Sequence, residues 1–139
     1  MVRLLCPKQR MVDYKTIVGK KWDYGTQDCY TLLRQYYALL GISLPDFERP
    51  EDLESTDSIF LRHAKALGFR QVDLDERTES DVLLMRLGTR TPMHAAIYLP
   101  GNRILHQRTN SLSAIEPLRS YYWKRISAVF RHAACHAGR

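Results

Sequence analysis

The chain has 139 residues, 45% apolar and 26% charged, with seven glycines and six prolines. That is one domain's length with enough apolar side chains for a core, and it excludes a disordered tail, a collagen-like repeat and a coiled coil. The formal charge of +6 is uneven: between Asp46 and Asp81 eleven acids face five bases, and the rest of the chain carries sixteen bases against four acids.

The bases are scattered and no helix carries a basic stripe, so nucleic acid is not the expected partner. No stretch approaches the ~20 apolar residues of a membrane span. The first residues hold no apolar run of the kind a secretory signal needs, so synthesis and retention in the cytoplasm are expected. Three cysteines at wide spacing, Cys6, Cys29 and Cys135, argue against a disulfide framework.

In chain order, Met11, Tyr14, Ile17 and Val18 recur at helical spacing, which predicts a helix over Gln9 to Val18 stopped by Gly19. A loop rich in turn formers follows, from Lys20 to Asp28. Cys29, Leu32, Leu33, Tyr36 and Leu40 then fall on one helical face, with Asp28 as N-cap and Gly41 as stop. Cys29 is thereby the first helical residue. An acidic loop with Pro45 and Pro50 leads to a short helix over Asp57 to Leu67, stopped by Gly68.

Beyond Gly68 the period becomes strand-like, with strands predicted at Val82–Arg86, Met93–Leu99, Arg103–Arg108, Leu112–Ile115 and Ile126–Arg131. Helices followed by a run of short strands indicate an α+β domain, the helices packed on a small antiparallel sheet. One domain spans 1–139, with 132–139 expected to fray.

The chemistry centres on three residues. Met93 to Leu99, Pro100-Gly101-Asn102 and Arg103 to Gln107 read as a β-hairpin. With a three-residue loop, Ala96 pairs with His106, and His94 and His106 become diagonal neighbours on one face. A two-residue loop puts them on opposite faces. A cysteine at a helix N-terminus meets the positive end of the helix dipole, which favours thiolate. Cys29, His94 and His106 then supply nucleophile, base and orienter, with the Cys29 N–H as an oxyanion donor.

The blander readings are a small buried cysteine and structural histidines. Cys, His and His also make a possible zinc set, but without a C-x-x-C or H-E-x-x-H anchor no metal is expected. Cys6 reads as packing, His63 as without a role, and the His132, Cys135 and His136 group as a poor ligand cage. Trp22 and Tyr24 lie close enough in sequence to Cys29 to line a site.

On these residues the sequence resembles the NlpC-type cysteine peptidases, papain-fold enzymes that cut peptides of the bacterial cell wall. The matching pieces are Trp22-Asp23-Tyr24-Gly25, Asp28-Cys29, Ser80-Asp81-Val82-Leu83-Leu84-Met85, His94-Ala95-Ala96-Ile97-Tyr98-Leu99 and His106. Within that family these stretches, and the closing Ser127 to His132, are most similar to the peptidase half of phage tail tip assembly proteins. The resemblance implies a papain-like fold, a catalytic set of Cys29, His94 and His106, and a substrate site including Trp22, Tyr24 and Asp28. It implies a cell-wall stem peptide as substrate, cut after a γ-linked D-glutamate, and no cofactor. It further implies other tail tip proteins as partners and a place in the virion. The alternative is a structural tail component that keeps the fold and leaves the site unused.

Overall fold

The computed structural model describes residues 3–5, 12–49 and 58–138. Among these residues eight strands and three helices run in the order β1 (Arg3–Leu5), α1 (Cys29–Leu39), α2 (Ile59–His63), β2 (Phe69–Val72), β3 (Val82–Met85), β4 (His94–Leu99), β5 (Arg103–His106), β6 (Ala114–Pro117), α3 (Ser120–Trp123), β7 (Ile126–His132) and β8 (His136–Gly138). Six strands form one antiparallel sheet in the order β2-β7-β3-β4-β5-β6. The α+β class expected from the sequence is the class observed.

Strands β3 and β4 are central, and their side chains are buried on both faces. Alternation sends Val82, Leu84, Ala95, Ile97 and Leu99 to one face, where they join Leu32, Leu33, Tyr36, Tyr37 and Leu40 of the α1 region in the main core. Leu83, Met85, Ala96 and Ile104 point to the other face, onto Leu118, Tyr122 and Val129. This double burial is why β3 reads as an unbroken apolar run, Val-Leu-Leu-Met. The helix α1 starts where expected: Asp28 is extended, and its side chain accepts from the Thr31 N–H. It ends at Leu40, before Gly41 at φ +84°.

Several expectations need correction. Residues 9–11 of the first helix, and Asp57 of the second, lie outside the described residues. Of the remainder of the first, only a 3₁₀ turn at Tyr14–Thr16 forms. The chain is instead drawn to the loop before β6, where the Gly19 N–H donates to Ser113 O at 2.8 Å and the Lys20 N–H to Ser113 Oγ at 2.9 Å. The second helix starts at a Ser58 cap and is only five residues long. Gly68 does end that region, at φ +94°, with the His132 ring so close that an added Cβ would sit 3.1 Å from its Nε2. Phe69 then enters β2, an edge strand too short for its alternation to stand out. The strand expected at Leu112–Ile115 lies two residues later.

The C-terminal segment does not fray at 132. His132 closes β7 and bonds Leu67 O through Nε2, and β8 pairs antiparallel with β1, Arg3 opposite Gly138. Its partner strand is more than a hundred residues away, beyond any local pattern. Cys135 lies buried between them in sequence and is disulfide-bonded, while Cys29 is a free thiol. An odd cysteine count excludes complete pairing but not a single bond.

Candidate active site

The hairpin of β4 and β5 adopts the three-residue loop. Ile97 pairs with Leu105, Tyr98 with Ile104 and Leu99 with Arg103. His94 at the start of β4 and His106 at the end of β5 therefore share the face that carries Ala96 and Ile104. Their rings meet edge to face at 5.0 Å, with His94 Nε2 and His106 Nδ1 2.9 Å apart. Both residues are buried.

One strand further out, Glu116 of β6 lies opposite Ile104 and hence diagonal to His106. Its Oε2 is 2.6 Å from His106 Nε2. Glu116 also accepts from Tyr122 Oη at 3.1 Å and from Arg119 at 3.0 Å. Burial works against its ionisation, but the bonds from His106 and Tyr122 and the charge of Arg119 outweigh that and hold the carboxyl below its ordinary range. The sequence reading missed Glu116 because it ended that strand at Ile115.

Glu116 settles the tautomers. An ionised carboxylate only accepts, so His106 Nε2 carries a proton and donates it. A neutral His106 then offers a bare Nδ1, which accepts from His94 Nε2–H. Neutral His94 is left with its lone pair on Nδ1. The three residues form one directed chain that ends in a base.

Cys29 and His94 line a single cavity of about 300 Å³, together with Trp22, Tyr24, Asp28 and Arg49. The Cys29 thiol donates to Met93 O, just before β4, at 3.5 Å. Burial pushes that thiol up to about 11, with the neighbouring Asp28 charge acting in the same sense. Burial likewise holds His94 well below the usual imidazole value, aided by His106 and Arg108. His106 is lowered by burial too, although Glu116 opposes the shift. The helix dipole that favours thiolate is outweighed by desolvation, and the resting pair is neutral thiol and neutral imidazole.

Trp22 and Tyr24 stack 6.3 Å apart on the cavity wall. Asp28 is there as well, but its oxygens are committed. Oδ1 accepts from Thr31 N, Thr31 Oγ1 and Arg49 Nη2, and Oδ2 from Gly25 N and Arg49 Nε at 2.7 Å. Burial opposes the ionised form, yet Arg49 and the backbone donors win and lower its pKa. Arg49 is equally committed, with Nη1 bonded to Asp46 and Phe47 O. Gln107, also on the wall, accepts from Gln27 and donates to Lys20 O, fastening the loop before α1 to the end of β5. His63 stacks on Phe47 at 3.9 Å. Among the described residues no group of His, Cys, Asp and Glu is arranged to hold a metal ion, and no helix is long and apolar enough to cross a membrane.

Comparison with known proteins shows the family and the fold. The model of the NlpC/P60 family matches residues 19–132. Tail tip assembly protein K of Escherichia phage lambda is 36% identical over 122 residues, which cover 87% of this chain and 61% of that protein. The chain thus spans somewhat less than two thirds of that relative's length. Among solved structures, an NLP/P60 family protein of Staphylococcus aureus shares the fold with a TM-score of 0.59 and 21% identity, over 84% of this chain and 38% of the other. A NlpC/P60 family protein of Bacillus cereus does so at 0.57 and 17%, over 85% and 37%. The chain belongs to the NlpC/P60 family.

Proposed function

We propose that the protein is a papain-like cysteine endopeptidase that cuts stem peptides of the bacterial cell wall as a component of a phage tail tip. The observation that carries the reading is the directed chain from Glu116 through His106 to His94, which ends on the cavity that also holds Cys29. Membership of the family supports the peptidase, and the phage relative supports the setting.

The steps follow from the resting protonation states. His94 Nδ1 takes the Cys29 proton as sulfur attacks the scissile carbonyl and the S–C bond forms. The oxyanion lies against the Cys29 backbone N–H at the head of α1. The new imidazolium is stabilised through His106 by the Glu116 charge. It then gives its proton to the departing amine as the C–N bond breaks. In the second half His94 takes a proton from water, hydroxide adds to the thioester, and the C–S bond breaks to return the thiol and release a carboxylate. Substrate must expel water and draw the neutral pair into this transfer, because burial keeps both groups uncharged at rest.

The test is mass spectrometry of fragments released from purified cell-wall sacculi by the wild type and by Cys29→Ala. Shortened stem peptides released by the wild type alone are expected, and they identify the bond. Absence of release, with the protein present in purified virions, favours the structural alternative. Absence from virions removes the tail assignment.

A further inference from the structure

Among the described residues the wall of the cavity around Cys29 carries three charged side chains, Asp28, Arg49 and Arg108. Asp28 and Arg49 neutralise each other, and Arg49 is held by Asp46 as well. Arg108 is different. It is exposed, and among the described residues no carboxylate pairs with it. Its guanidinium has one hydrogen bond, from Nη1 to Tyr122 Oη at 3.0 Å, which orients the head and leaves most of its donors unused.

We infer that Arg108 is a specificity residue, which takes a carboxylate of the bound peptide beside the reacting carbonyl. The inference rests on the peptidase reading for the substrate class, and binding to a protein that cannot turn over tests it separately. A guanidinium fork suits a planar carboxylate, and a charge-assisted pair at a cavity wall is stronger than one on open surface. Two sources are available in a stem peptide: the side or α-carboxylate of the residue before the cut bond, and the carboxylate of the residue after it.

A second consequence follows from position. Among the described residues Arg108 is the cation whose charge opposes protonation of both His94 and His106, while Glu116 favours that of His106 and Arg119 opposes it. A carboxylate brought against Arg108 cancels a repulsion on both imidazoles at the moment His94 has to accept a proton. Anionic substrate would thus prime the base that cuts it.

The experiment is calorimetric binding to the Cys29→Ala protein, which separates recognition from turnover. The probes are L-alanyl-γ-D-glutamyl-L-lysine and two analogues, one with the glutamate α-carboxylate as carboxamide and one with the C-terminal carboxylate as carboxamide. Amidation at one of the two positions is expected to weaken binding about tenfold, the scale of one charge-assisted contact. With Arg108→Gln added, that difference disappears, and with Arg108→Lys, which keeps the charge and loses the fork, part of it remains. Equal binding of all three probes, absence of binding included, overturns the inference. So does a carboxylate preference that survives Arg108→Gln. Discrimination without any cleavage of the parent peptide by the wild type keeps the Arg108 assignment and rejects the peptidase reading.

Discussion

Glu116 shows how much one side chain settles at a distance from the reacting atoms. It touches His106, not the cavity, and its effect on His94 is transmitted by which nitrogen carries which proton. Charge and orientation can be separated by substitution. Glu116→Gln keeps an oxygen that accepts from His106 Nε2–H and so keeps the tautomer, but removes the charge that stabilises imidazolium. Glu116→Ala removes both. Turnover on stem peptide is expected to fall roughly 10-fold in the first and roughly 100-fold or more in the second, with KM little changed. The check with a distinct signature is imidazole ¹⁵N NMR. His106 should report an Nε2–H tautomer in the wild type and in Glu116→Gln, and a mixture in Glu116→Ala. Equal losses in the two variants would show that the carboxylate acts through its charge alone, and wild-type kinetics in both would show that it acts by neither route.

At the scale of elements, the start of α1 joins fold to site. Asp28 caps the helix, orders the turn through Gly25 N–H and holds Arg49, whose side chain is 6% exposed. Removing the acid leaves the guanidinium only its more exposed acidic partner, Asp46. Asp28→Ala is expected to cost about 2–3 kcal/mol, about 1 of it from the cap and the rest from the weakened hold on Arg49. Asp28→Asn keeps a capping oxygen and should fall between. A second substitution, Arg49→Met, should return part of the loss, measured by urea unfolding; strict additivity of the two would refute the coupling.

This corner was partly legible in the sequence because its signals are local: Asp28 before an amphipathic run, and a Pro-Gly-Asn loop between two strands. The loop allowed two registers, and the three-residue one that forms puts His94 and His106 on one face. Arg49 and Glu116 had no such signal, since one partner is 21 residues away in a loop and the other depends on where β6 ends. The first helix was over-read for a related reason. Its apolar spacing is real, but Ile17 and Gly19 obey the distant Ser113 rather than the helical ladder. The β1–β8 ribbon pairs the two ends of the chain and has no local signature at all.

Across the whole molecule, the buried titratable groups impose a shape on stability against pH. His94, His106 and His132 all have pKa values lowered by burial. The unfolded chain therefore binds more protons than the native state below the ordinary histidine value near 6.5, and stability is lost as pH falls from there toward the native values. Asp28 and Glu116 are also lowered, but they weaken the fold only once pH drops below the ordinary carboxylate range near 4. Asp81 has the opposite sign. Burial raises it despite the Arg131 pair, so acidification relieves a native-state penalty there. On the alkaline side Cys29 is the first group to count. Its native pKa of about 11 lies above the unfolded value, so stability declines as pH rises beyond roughly 8.5. The expected profile is a plateau between about pH 6.5 and 8.5 with separate acid and alkaline limbs. Urea midpoints for the wild type, Cys29→Ala and His94→Asn/His106→Asn resolve them. The cysteine variant should lose the onset of the alkaline limb and keep the acid one, and the histidine pair should do the reverse between pH 6.5 and 5. A wild-type midpoint that stays level from pH 7.5 to 5 would mean that these histidines are not held neutral by the fold. His94 would then be protonated as easily in the fold as in the unfolded chain, and burial could not be what keeps the resting imidazole neutral.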